Sequence, residues 1–153
     1  MWVPPEEKDP TVAQAPTRKS IALFGAVNVR TGKLITMLAE PFDAVSFECF
    51  LRLLLRSRRR SGRTVLILDN AAYHRSEDLD ELLERYQGRV WRDYLPPYSP
   101  QLNPIERVWK LLRTRCTHNR YFQTLDELLG AVTGQLKEWN NPNDALARLC
   151  CII

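Results

Sequence analysis

Four consecutive aliphatic residues, Val65-Leu66-Ile67-Leu68, end abruptly in Asp69-Asn70, and this short run limits the possible folds more than any other segment. So short and uninterrupted an apolar stretch reads as a strand covered on both faces, the kind found in parallel sheets. The residues after it support a crossover. Ser76 can cap a helix, Glu77 and Asp78 suit the positive end of its dipole, and Leu79, Leu82, Leu83 and Tyr86 form one apolar stripe that Gly88 can close. Val90 to Leu95 is a second strand, stopped by Pro96-Pro97, which can neither extend a ladder nor sit inside a helix.

The remaining segments fit around this unit. Residues 1–20 carry four prolines (Pro4, Pro5, Pro10, Pro16) and read as a proline-rich loop segment. Ile21 to Val29 and Leu34 to Leu38 flank the turn Arg30-Thr31-Gly32-Lys33, which predicts a β-hairpin. From Asp43 the period changes, and Phe47, Phe50, Leu51 and Leu54 recur at helical spacing until the arginine-rich stretch ending at Gly62. Asn103 as N-cap and Pro104 at the first position open another helix, with Ile105, Val108, Trp109 and Leu112 facing inward. Thr124-Leu125-Asp126-Glu127 is a capping box for the last long helix, striped by Leu125, Leu128, Leu129, Val132, Leu136 and Trp139 and ended by Pro142. The order predicts an α/β fold: segment 1–20, one domain over 21–140, and a tail over 141–153 with at most a short helical turn.

Composition narrows the function classes. A chain of 153 residues, 44% hydrophobic and 26% charged, can bury a sizeable single core without disulfides. Cys49, Cys116, Cys150 and Cys151 show no C-x-x-C spacing, which argues against a zinc cage and for a reducing cytoplasmic setting, nucleoid-associated if bacterial. No stretch has the length of a membrane span, and the N-terminus lacks the pattern of a signal peptide. The net charge of +4 is modest but unevenly spread. Six arginines fall between Arg52 and Arg63, and Arg107, Lys110, Arg113, Arg115 and Arg120 form a second basic group. Such clustering favours a polyanionic partner, although a solvated helix end explains the first cluster equally well.

Two acids stand out by position. Asp69 lies at the carboxyl end of the most apolar strand, where open α/β sheets bind ligands, and Glu106 lies in the first turn of a helix after a proline-rich loop. If the Val65 and Val90 strands are neighbours, that loop emerges beside Asp69 and can bring Glu106 toward it. Carboxylates with reference pKa values of roughly 4 repel one another in a cleft unless a cation lies between them. Mg²⁺ or Mn²⁺ suits such an all-oxygen site and serves phosphodiester chemistry. Structural duties compete with this reading: Glu106 can fold back on its helix cap, and Asp69-Asn70 can form an Asx turn.

The blocks Leu68-Asp69-Asn70-Ala71-Ala72-Tyr73-His74 and Leu95-Pro96-Pro97-Tyr98-Ser99-Pro100-Gln101-Leu102-Asn103-Pro104-Ile105-Glu106-Arg107-Val108-Trp109 add a resemblance. With 36 residues between the two acids, they closely resemble the catalytic domain of DDE transposases, in particular the mariner-like insertion-sequence group. The likeness includes Phe24-Gly25-Ala26-Val27-Asn28 and Thr31-Gly32, and runs from about Ile21 to Trp139. It implies an RNase H-like mixed sheet flanked by helices, with Asp69 as the second metal-binding acid and Glu106 as the third. It further implies Mg²⁺ or Mn²⁺ as cofactor and DNA, both element ends and target, as partner, for hydrolysis followed by strand transfer.

The family's first acid belongs to an apolar strand upstream of the hairpin, where this sequence has only Glu6, Glu7 and Asp9 among prolines. The expectation is therefore a truncated or split form without its central first strand and its helix-turn-helix region, impaired in cleavage. A second transposase subunit or an N-terminal half would be its partner. The alternative is a non-catalytic remnant that binds DNA or a full-length transposase. Arg58, Arg59, Arg60, Arg107, Lys110 and Arg113 are candidate phosphate contacts. Asn70, His74 and Asn103 are weaker candidates for orienting the acids or touching phosphate, because turn and cap duties explain them too. Trp91, Trp109 and Trp139 read as core anchors.

Overall fold

A computed structural model describes residues 22–40, 43–58, 62–71, 74, 77–86 and 88–151. The hairpin consists of β1 (Leu23–Val27) and β2 (Leu34–Leu38), antiparallel, with Phe24 opposite Met37 and Ala26 opposite Ile35. Asn28 shapes its turn by accepting the Arg30 and Thr31 amides at 3.0 Å each, and Gly32 supplies a φ of +67°. Helix α1 (Ala44–Ser57) starts at Asp43, which accepts the Ser46 amide while the Ser46 hydroxyl accepts the Asp43 amide. Strand β3 (Thr64–Leu68), helix α2 (Glu77–Glu84) and strand β4 (Val90–Tyr94) form the crossover unit, with β3 and β4 parallel. Helices α3 (Pro104–Leu112), α4 (Leu125–Trp139) and α5 (Asp144–Cys150) complete the chain.

Alternation along the hairpin separates two apolar clusters. Phe24, Ala26, Ile35 and Met37 face α1 and belong to one cluster in which Phe47, Phe50, Leu51 and Leu55 of α1 and Leu66, Leu79, Leu82 and Val90 are buried. Leu23, Val27 and Leu34 face the opposite way, onto Val108, Leu112, Val132, Leu136, Trp139, Leu146 and Cys150 of α3, α4 and α5. The hairpin is thus the middle layer of an α/β/α sandwich. Gly25 permits its close contact with α3: a Cβ there would fall 2.4 Å from Trp109 Cζ2 and Cη2. On the same side, the turn docks on α5 through the Asn143 amide, 2.8 Å from the Thr31 carbonyl.

Several expectations change. The Val65 strand is buried on one face only: Leu66 is 8% exposed, whereas Val65 is 58% and Ile67 46% exposed. Trp91, expected as a core anchor, is 42% exposed, because register places it beside Val65 on the outward face. An aliphatic run cannot reveal how many of its faces a neighbour covers, and here α1 and α2 pack on the Leu66 and Val90 face alone. Among the described residues the strands form two two-stranded sheets, β1–β2 and β3–β4. Residues 144–150, expected within a tail, form a full helix capped by Asn143 that buries Leu146 and Cys150. The caps at Asn103 and Thr124 are present, but Glu127 reaches the Gln123 amide rather than that of Thr124. The proposed Ser76 cap and segment 1–20 lie outside the described residues. No helix among the described residues is long and apolar enough to cross a membrane.

Candidate metal centre and nucleic-acid interface

The parallel register of β3 and β4, with Leu68 opposite Tyr94, brings both strands to their carboxyl ends at the same level. Two hydrogen bonds tie the exits together: the Leu95 amide donates to the Leu68 carbonyl at 2.9 Å, and Asn70 Nδ2 donates to the Leu95 carbonyl at 2.6 Å. Beyond Pro96-Pro97 the chain passes through a 3-10 turn, Pro100–Leu102, and enters α3. Asn103 caps that helix by accepting the Ile105 amide at 3.3 Å. The turn folds the start of α3 back over the strand ends, so Asp69, Asn70, Tyr98, Asn103 and Glu106 line one cleft of about 130 Å³.

The two acids are held differently. Asp69 Oδ1 accepts the Ala71 amide at 3.1 Å, completing an Asx turn, and lies 2.9 Å from His74 Nδ1. The same ring nitrogen is 3.1 Å from the Asp69 carbonyl oxygen, and two acceptors facing it require its proton to be on Nδ1. His74 is only 7% exposed, its ring 4.4 Å from that of Phe47. Its carbonyl accepts the Tyr94 hydroxyl at 2.8 Å and Arg92 at 3.3 Å. A buried imidazole thus anchors one edge of a carboxylate that is itself 57% exposed. His74 makes this contact with Asp69 from inside the fold.

Glu106 does not fold back on its cap, because the Asn103 amide donates to the Pro100 carbonyl at 2.9 Å instead. Its exposed carboxylate makes no hydrogen bond or ion pair among the described residues, and the helix dipole favours its charge in the first turn. Two carboxylates in one cleft make an all-oxygen donor set, suited to a hard divalent cation and unsuited to the nitrogen and sulfur preferences of zinc. Among the described residues no group of three or more histidines, cysteines and acids stands close enough to hold a metal.

The basic residues divide by what already engages them. Arg58 lies 4.9 Å over the Tyr86 ring and donates to the Gly62 carbonyl at 3.4 Å. Arg59 and Arg60 lie outside the described residues. Arg107 donates to the carbonyls of Leu149 and Cys151 at 3.1 and 3.2 Å, closing the end of α5. Lys110 and Arg113 are exposed, with no side-chain partner among the described residues. Spaced four and seven residues from Glu106, they continue one face of α3 roughly 6 and 10 Å along its axis. Sequence reasoning passed over Tyr98, an aromatic in a proline-bounded turn with no periodic pattern to flag it, and the Gly25–Trp109 contact, which leaves no local signal.

The profile described as DDE superfamily endonuclease matches residues 1–129. The chain belongs to that family. This DDE superfamily member is 33% identical over 118 residues to the uncharacterized protein y4pE/y4sA of Sinorhizobium fredii (strain NBRC 101917 / NGR234), covering 77% of this chain and 82% of that one. It is 32% identical over 111 residues to the insertion element IS630 uncharacterized 39 kDa protein of Shigella sonnei, covering 72% of this chain. It spans only 32% of that relative's length. Its fold matches a chain in the crystal structure of the Mos1 Strand Transfer Complex with a TM-score of 0.69 at 21% identity, over 98% of this chain and 44% of that one. The expected RNase H-like α/β architecture is thereby shown for this DDE superfamily chain.

Proposed function

We propose that this chain carries part of the phosphodiester-processing site of a DNA transposase, with Asp69 and Glu106 holding Mg²⁺ or Mn²⁺. The observation that supports it is that Asp69 and Glu106 line one cleft, Asp69 engaged through Oδ1 and Glu106 without a hydrogen bond or ion pair among the described residues. Asp69 is presented by its Asx turn and by His74, both of which engage Oδ1, and Glu106 lines the same cleft. A metal bound there supplies charge stabilisation for the attacking and leaving oxygens of phosphoryl transfer. The chain's own contribution is positioning. Asn70 keeps the strand exits together, and Lys110 and Arg113 offer a DNA backbone two cations on the face that carries Glu106. Arg107 is assigned to α5 rather than to DNA.

Among the described residues two acids line the cleft, and the reading includes a form that cleaves little on its own and takes a further acidic ligand from a second subunit or an N-terminal half. DNA binding without cleavage is the accompanying second reading. Mn²⁺ titration followed by electron paramagnetic resonance tests the site. Asp69→Asn and Glu106→Gln are each expected to weaken Mn²⁺ binding about tenfold or more without loss of fold, and duplex affinity is expected to fall steeply with salt. Unchanged Mn²⁺ binding in Glu106→Gln overturns the metal assignment. Robust cleavage of donor-end DNA by the chain alone, abolished by Asp69→Ala, overturns the impaired-activity reading.

A further inference from the structure

Tyr98 stands at the mouth of the acid cleft and is 100% exposed. Its backbone has a φ of +56°, in the left-handed region that a residue with a Cβ enters only against steric strain. Asn119 is the other non-glycine residue with positive φ among the described residues, and asparagine tolerates that region. A tyrosine gains nothing comparable there. The ring buries no surface, and its hydroxyl makes no hydrogen bond among the described residues. The turn around it is braced by Pro96, Pro97 and Pro100, by the Ser99 hydroxyl on the Pro97 carbonyl at 3.2 Å, and by the Leu102 amide on the Ser99 carbonyl at 3.1 Å. A large aromatic is therefore held out in water, in a disfavoured conformation, by a turn that does not need it. Strain of this kind is retained where something outside the fold repays it.

We propose that Tyr98 is a base-stacking residue, receiving a nucleobase that has left the helical stack next to the phosphate that a divalent cation at Asp69 and Glu106 would hold. This inference rests on the proposed DNA-processing site and names the substrate feature that site takes: an unpaired or splayed nucleotide. The chemistry favours a base over other partners. An isolated aromatic face beside an anionic-backbone site, with Lys110 and Arg113 available to the phosphates, is the combination that grips single strands without reading their sequence. A base within a duplex has both faces covered by its stacked neighbours, so Tyr98 contributes only where a base has left the stack.

The test measures binding of the full chain to a short oligothymidylate with one central 2-aminopurine, single-stranded and in a complete duplex, in Ca²⁺ buffer. Tyr98→Ala is expected to weaken single-strand binding about 5- to 100-fold, as loss of one stacked base does, and to leave duplex affinity within about twofold. Tyr98→Phe and Tyr98→Trp retain binding and the change in 2-aminopurine emission, because stacking uses the ring and not the hydroxyl. Tyr98→Gly serves as the second variant: it loses binding like Tyr98→Ala, yet its melting temperature equals or exceeds that of the parent, since glycine relieves the positive φ. Equal loss on single strand and duplex overturns the proposal, as does full single-strand binding by Tyr98→Ala or a lowered melting temperature in Tyr98→Gly. Loss of self-association with oligonucleotide binding intact makes the ring a protein contact and equally overturns it. Glu106→Gln separates the two readings: if it alters Mn²⁺ binding while Tyr98→Ala leaves 2-aminopurine emission unchanged, only the stacking role fails.

Discussion

Replacing Gly25 with alanine tests how the fold carries Glu106 to the cleft. The added methyl would lie 2.4 Å from two atoms of the Trp109 indole, against about 3.4 Å for an ordinary contact. The obstacle is a rigid ring, not a flexible side-chain end, and Thr36 Cγ2 already lies 3.6 Å away on the neighbouring strand. Relief therefore requires α3 to lift by about 1 Å or the indole to leave its rotamer. Overpacking of this kind costs roughly 1–3 kcal/mol, which in a domain of this size lowers the melting temperature by about 2–4 °C per kcal/mol. Glu106 sits one helical turn before Trp109 and moves with it, whereas Asp69 stays at the end of β3. A binding constellation tolerates about 0.5 Å of error, so Mn²⁺ affinity is expected to fall about tenfold beyond any effect on stability. Urea unfolding and Mn²⁺ titration of Gly25→Ala, Trp109→Phe and the double variant form the assay. Shortening the indole makes room for the methyl, so the two changes couple by about 1 kcal/mol or more. Additive effects, or a Gly25→Ala protein with unaltered stability and affinity, would refute the reasoning.

The remaining predictions concern the second cluster. Burial pushes the Cys150 and Cys116 thiols above their ordinary value of 9.0, against the lowering influence of Arg107 on the first and of Arg120 and Arg115 on the second. A thiol whose folded pKa is raised contributes stability that is present below 9.0 and lost as pH rises past it. Cys150→Ala should therefore flatten the alkaline limb of a stability–pH curve, and a limb as steep as the parent's would contradict this. In the folded chain a thiol reagent should label the exposed Cys49 and Cys151 at once, with Cys116 and Cys150 reacting only on unfolding. Arg107→Ala should fray the end of α5, seen as faster hydrogen exchange near Cys151, at a cost of about 0.5–1 kcal/mol because the contact is exposed. It should weaken DNA binding less than Lys110→Ala; an equal or greater loss would return Arg107 to the DNA surface.

Local chemistry was sufficient for the elements other than α5 and for the meeting of the acids. Asn103 with Pro104, Thr124 with Glu127 and Asp43 before the Phe47 stripe mark helix starts by satisfying amides within a few residues, so their evidence lies in adjacent positions. The convergence of Asp69 and Glu106 followed from one inference, that two apolar runs joined by a helix lie parallel and end on the same side. The outward face of Val65, Ile67 and Trp91 was not legible, because burial depends on which layers arrive from elsewhere in the chain. Helix α5 also escaped notice: its seven residues carry too short a stripe to recognise, and contacts with α3 and the hairpin turn make it.

The amino-acid order by itself thus determined where the helices and strands other than α5 begin and which two carboxylates share an edge, since capping, periodicity and proline act over a single turn or strand. Tertiary structure alone decided that Arg107 closes α5 and that Tyr98 stands in water at the cleft's mouth. These are contacts, or missing contacts, set by packing between segments distant in the chain, and no property of the residues on either side of them encodes the outcome.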